Sequence, residues 1–103
     1  MPKTQTIENK ISHIIDKVLT QIFGEEATSL IYRYLEKNYS LKKDEIAEKI
    51  DLFAKGLEDF LNSGAYVIEK KILEDIYSNY GLIKRVKPED DFTRQMKLIL
   101  QRA

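Results

Sequence analysis

His13 is the only histidine of the chain and the one side chain whose ordinary pKa lies near neutrality, so general acid or base catalysis would begin there. It stands at the margin of an apolar helical stripe, and the spacing gives no reason to assign it a serine or cysteine as a catalytic partner. The chain has no cysteine, and a single histidine does not make a usual structural zinc site. We interpret His13 as a partly exposed surface residue and expect a non-enzymatic protein without a metal or a cofactor.

Acidic side chains are the other groups that could bind a metal or transfer protons. They occur in small clusters: Glu25 and Glu26, Glu45 and Glu48, Glu58 and Asp59, Glu74 and Asp75, and residues 89–91. Dimetal helical bundles place a Glu-x-x-His motif on each of two helices, and the sequence contains none. We therefore interpret the clusters as solvated helix surface, with those near residues 25 and 89 placed at helix N-termini, where negative charge is favourable.

Glycine does not form a phosphate-binding loop, because the four glycines stand singly at positions 24, 56, 64 and 81. Gly24, Gly64 and Gly81 are predicted to end helices, Gly24 in the left-handed conformation. Gly56 falls inside a predicted helix, where glycine costs about 1 kcal/mol relative to alanine. It indicates a close contact with another helix or with another subunit, or else simply an exposed position.

One local concentration of positive charge could contact phosphates. It consists of Lys70, Lys71, Lys84, Arg85 and Lys87. Seventeen basic and 17 acidic residues give a net charge of zero, the acidic residues 89–91 follow directly, and no turn has helix-turn-helix proportions. Nucleic-acid binding is therefore the alternative function, and it predicts affinity that falls steeply with salt.

Tyrosines and a broad apolar edge favour an interaction surface instead. Tyr32 and Tyr39 stand seven residues apart on one side of their predicted helix, and Leu98 adds to Ile99 and Leu100 at the C-terminus. Aromatic side chains with a polar tip are enriched at protein interfaces. Tyr32, Tyr39, Gly56, Leu98 and Leu100 are thus the candidate contacts with a protein partner or a second copy. Burial of these side chains within the molecule is the other interpretation.

The elements that position these residues are predicted from apolar residues repeating at helical spacing. The pattern predicts an all-α bundle of about five helices at residues 6–23, 25–38, 42–62, 65–80 and 88–101. Ala27, Leu30, Ile31, Tyr34 and Leu35 are taken as core positions of the second helix, and Phe60 as a core position of the third. The third segment is equally compatible with one helix and with a break near Lys49 to Asp51, since Asp51 is itself a good N-cap. Pro88 is suited to the first position of the last helix.

Length and composition predict one domain over residues 1–103, of which 43% are hydrophobic and 33% charged. The N-terminal residues do not have the pattern of a signal peptide. Apolar runs are far shorter than the roughly 20 residues that span a bilayer. We expect a cytoplasmic protein that does not enter membranes.

The middle of the chain resembles a known family. The likeness runs from Phe23 to Leu82 and is carried by Phe23-Gly24, Leu30-Ile31, Tyr34-Leu35, Asp44-Glu45-Ile46, Leu52-Phe53, Gly56-Leu57, Phe60-Leu61, Gly64-Ala65, Ile68-Glu69, Ile72-Leu73 and Tyr80-Gly81-Leu82. This pattern resembles a small archaeal helical domain of the Nitroso-type output-domain group, found alone or at the end of archaeal signalling proteins. The resemblance implies an archaeal origin and a regulatory or interaction role, and it carries over no catalytic residue.

Overall fold

The first helix, α1, extends over Ile7–Tyr39 and is interrupted at one residue. The computed structural model describes residues 7–80 and 92–101 of the chain. At Gly24 the backbone takes φ 84° and ψ 170°, a conformation that is essentially confined to glycine. The two arms of α1, residues 7–23 and 25–39, therefore correspond to the two helices predicted from the sequence. Gly24 does end the first arm with a positive φ, as predicted, but its ψ of 170° differs from that of the left-handed helical conformation.

The arms of α1 fold back on each other. The Tyr32 hydroxyl of the second arm donates a hydrogen bond of 2.8 Å to Asp16 Oδ1 of the first arm. In a straight helix these two positions would lie about 24 Å apart along the axis. The bend at Gly24 thus produces a helical hairpin.

Of the two alternatives for residues 42–62, one helix or a break near Lys49 to Asp51, the structure has the break. A 3₁₀ turn covers Lys43–Glu45, a further turn covers residues 46–49, and α2 covers Ile50–Leu61. Lys49 occupies the N-cap of α2 without a side-chain hydrogen bond, so the proposed capping role of Asp51 was wrong, and Asp51 lies in the first turn. Burial of Ile46, Ala47 and Ile50 holds the turn against the rest of the molecule.

Helix α3 covers Gly64–Tyr80 and begins one residue earlier than predicted. The assignment of Gly64 as a helix stop was wrong, because it is the first residue of α3. Asn62 ends α2 instead, with φ 55°, a sign that asparagine tolerates better than most residues. Helix α4 covers Phe92–Gln101, while Gly81, Pro88 and residues 89–91 lie outside the described residues.

The described part of the chain is helical, without strands, and its helices surround one apolar core. Both α2 and α3 pack against α1, and α4 packs against α2 and α3. The largest fully buried side chains come from all four helices and from the segment between α1 and α2: Ile11, Ile15, Leu19, Ile31, Leu35, Leu41, Ile46, Phe53, Leu57, Ile72, Ile76 and Met96. The all-α fold is confirmed, with four helices and a 3₁₀ turn where about five helices were predicted.

Candidate interaction surface

Tyr32 is held by a polar cluster inside the molecule. Besides the hydrogen bond to Asp16, the ammonium group of Lys43 lies 5.1 Å from the centroid of the Tyr32 ring and 3.4 Å from Asp16 Oδ1. Burial raises the pKa of the Tyr32 hydroxyl well above its ordinary value, and the hydrogen bond to Asp16 and the negative charge of that carboxylate raise it further. The cluster ties both arms of α1 to the 3₁₀ turn.

Tyr39 and Gly56 contact each other across the junction of α1 with α2. A Cβ on Gly56 would lie 3.3 Å from Tyr39 Cδ2 and would overlap Leu35 Cδ2, so this glycine permits a close approach of two helices. The Tyr39 hydroxyl donates a hydrogen bond to Asp59 Oδ2. Of the two contacts considered for Gly56, the structure therefore has the one with another helix of the same chain.

Leu98 and Leu100, both in α4, are half-buried. Leu100 packs at the edge of the core and lines an open pocket of about 260 Å³ with residues 47–51 and Lys97. At its rim Lys97 Nζ forms an ion pair of 3.0 Å with Asp51 Oδ2. Neither leucine is among the most exposed apolar side chains of the described residues.

An apolar surface lies instead on the second arm of α1 and the end of α2. Leu30 is 54% exposed and Phe60 39% exposed, although the stripe pattern had assigned both to the core. The Phe60 ring packs on the half-buried Tyr34 with 5.0 Å between ring centroids. Leu30 precedes Tyr34 by one helical turn, so the two share a face. We call Leu30, Tyr34 and Phe60 the Leu30 surface.

Three further large apolar side chains are exposed, namely Ile22 in the first arm of α1 and Tyr66 and Val67 in α3. Single exposed apolar residues are normal on protein surfaces. Among the exposed apolar side chains of the described residues, Phe60 of the Leu30 surface makes an aromatic contact with another helix, through Tyr34. The Leu30 surface is therefore the strongest candidate site among the described residues.

The predicted phosphate-binding residues are only partly within the described chain. Lys70 and Lys71 are exposed on α3, and Lys71 Nζ pairs with Asp75 Oδ1 at 3.2 Å. Lys84, Arg85 and Lys87 lie outside the described residues. Nucleic-acid binding through the five residues stays a prediction.

The histidine and acidic side chains that could support catalysis or bind a metal do not form a common site among the described residues. His13 is exposed, and it does not line the pocket beside Leu100. Residues 7–80 and 92–101 contain no group of three or more His, Cys, Asp or Glu side chains arranged for a metal ion. In the same residues, no helix combines the length and the apolar character needed to cross a membrane.

Comparisons of the chain with protein-family models, with curated proteins and with solved structures find no match.

Proposed function

We propose that the protein is a non-enzymatic interaction module that self-associates, with the Leu30 surface as its contact surface. The observation that carries the proposal is the exposure of Leu30, at 54%, beside Ile31, at 1%. The helix thus exposes Leu30 to solvent and directs the next residue, Ile31, into the core. Leu30 lies one helical turn before Tyr34, on which Phe60 packs, so the three side chains share one side of the molecule.

The chemistry of the patch suits protein contacts. Removal of a leucine or phenylalanine side chain from water contributes about 1.5–3 kcal/mol when burial is complete. Tyrosine and phenylalanine are enriched at interface centres, and a tyrosine hydroxyl keeps a polar contact at the rim. Leu30 and Phe60 gain only the part of this contribution that corresponds to their exposed fractions, so covering the patch supplies part of the free energy that association needs.

Tyr32, Tyr39 and Gly56 have a smaller part in the proposal, because the contacts within the chain account for their positions. Leu98 and Leu100 remain secondary candidates, since α4 leaves both half-buried. The resemblance to the Nitroso-type output domain implies a regulatory role and an archaeal origin, and both are part of the proposal. A cytoplasmic location is also part of it, on the ground of the N-terminal sequence and the short apolar runs.

Light scattering over a concentration series of the native chain tests the proposal. We expect a mass that rises from monomer to dimer, and a monomer for Leu30→Ser at the same concentrations. Val67→Ser is the matched control, because Val67 is 63% exposed and lies outside the Leu30 surface. It should leave the association unchanged. The proposal is contradicted if the native chain is monomeric at every concentration. It is also contradicted if Leu30→Ser associates as strongly as Val67→Ser.

A further inference from the structure

We propose that the second arm of α1 pairs with the same arm of a second copy in an antiparallel, two-fold arrangement. This inference rests on the proposed function and specifies the partner and its orientation. Two features of the arm support the pairing: the spacing of its exposed residues and the charges beside them.

The exposed side of the arm has the spacing of a helix-pairing seam. Ala27, Leu30 and Tyr34 are separated by three and four residues, as are the apolar positions of a coiled coil. Ala27 is half-buried and small, so it leaves room for a large side chain from a facing helix. In an antiparallel pair, Leu30 of one copy would lie over Ala27 of the partner subunit, and two-fold symmetry repeats this contact.

Charges beside the seam match this orientation. Glu26 and Arg33 each precede a seam residue by one position, so they flank the seam on the same side, and both are exposed. The register that places Leu30 over Ala27 of the partner subunit brings Glu26 beside Arg33 of the partner subunit. The two-fold axis generates the second pair, between Arg33 and Glu26 of the partner subunit. The surface is therefore complementary in charge to a second copy of itself.

The other flank of the seam is occupied within the molecule. Ile31 and Leu35 are buried in the core, and Leu35 packs against Gly56 of α2. In a parallel pair, Glu26 would instead face the buried positions on the other flank of the partner subunit's seam. Neither Glu26 nor Arg33 would then lie beside an opposite charge. The antiparallel orientation is the one in which both Glu26 and Arg33 gain an opposite charge.

Charge reversal in separate and mixed samples tests the pairing. In Glu26→Arg, each flanking pair becomes two arginines, and in Arg33→Glu it becomes two glutamates. We expect each variant alone to dimerise about tenfold more weakly than the native chain, because exposed charge pairs contribute modestly and both pairs are affected. An equimolar mixture should form a heterodimer within about twofold of native affinity, since both pairs are again opposite in charge.

Glu36→Arg is the matched control, because it makes the same charge change on the same arm away from the seam and should leave the dimer affinity within twofold. A native dimer that neither reversal weakens, or a mixture that does not recover affinity, would overturn the antiparallel pairing and leave self-association intact. A native chain that remains monomeric would overturn both. The two failures are therefore distinguishable in one set of sedimentation experiments.

Discussion

Gly56 of α2 lies directly against Leu35 in the second arm of α1, with no room for a methyl group between them. Leu35 is 1% exposed, so its side chain is confined by the surrounding core. The same contact brings Tyr39 over the glycine and places its hydroxyl at Asp59. The close approach of these two helices therefore fixes the position of α2, and with it that of Phe60 beside Tyr34.

We expect Gly56→Ala to lower the free energy of unfolding by up to about 2 kcal/mol, because overpacking a confined contact costs more than the helix propensity of alanine returns. Alanine has the higher helix propensity by about 1 kcal/mol, so propensity alone predicts the opposite sign. Urea unfolding followed by circular dichroism measures the change. In a Leu35→Ala background the same substitution should be neutral or stabilising, and an equal loss in both backgrounds would contradict the contact.

Gly24→Ala should also destabilise the fold, for a different reason. An added Cβ at Gly24 would meet nothing within 4 Å, so the loss comes from the backbone conformation, about 1–3 kcal/mol. Gly24→Asn should give no relief, because the ψ of 170° is far from the left-handed region that asparagine tolerates. Gly64→Ala serves as the control, since the nearest atom to its Cβ would be Leu61 Cβ at 3.8 Å. Thermal unfolding that is unchanged in Gly24→Ala would refute this account of the bend.

Tyr32 should make stability fall at high pH. Its pKa is raised in the folded state by burial, by the hydrogen bond to Asp16 and by that residue's charge. The hydroxyl must therefore stay protonated in the fold while an unfolded tyrosine ionises near pH 10. The stabilisation is complete below pH 10 and is lost progressively as the pH rises above it.

Tyr32→Phe removes this dependence, and with it the hydrogen bond, at a cost of about 0.5–1.5 kcal/mol at neutral pH. Urea unfolding at several pH values from 8 upward should show a steeper decline for the native chain than for the variant. Tyr66→Phe is the control, because Tyr66 is 69% exposed. Parallel declines in the native chain and in Tyr32→Phe would contradict the assignment.

Thr28 offers a stabilising substitution. It is 3% exposed, and its Oγ1 has no hydrogen-bond partner among the described residues. Removal of a buried, unpaired hydroxyl by an isosteric side chain is neutral or favourable, so Thr28→Val should raise the free energy of unfolding by about 1 kcal/mol. Thr20→Val, at a half-buried position, should change it by less, and a clear loss in Thr28→Val would show that the hydroxyl is paired.

The sequence predicted the helices well, because helical spacing of apolar residues and a few punctuating residues determine them locally. The two arms of α1 and the start of α3 were placed to within one residue. The sequence pattern is compatible with a break before α2 because Asp51 is a good N-cap, but it does not predict the observed N-cap, Lys49, which has no side-chain cap. Asn62, and not Gly64, adopts the positive φ that ends α2, and either residue is compatible with such an end.

Which side of a helix faces inward was harder to predict. In the second arm of α1, large apolar residues lie on more than one face of the helix. The apolar pattern predicted that Leu30 is in the core and that Tyr32 is on the surface. The core instead encloses Thr28, because the hairpin at Gly24 turns Tyr32 toward Asp16. Only the packing of the two arms determines this rotation, so the single-chain pattern contained no signal for it.

The most direct test of the central claim is a dilution series of ¹H–¹⁵N correlation spectra of the native chain. The account predicts concentration-dependent shifts in the amides of residues 26–37 and 58–61, with residues 43–51 and 66–71 unchanged. Those shifts should vanish in Leu30→Ser while the remaining spectrum keeps its dispersion. A spectrum that does not depend on concentration, or shifts confined to other parts of the chain, would contradict the Leu30 surface as the site of association.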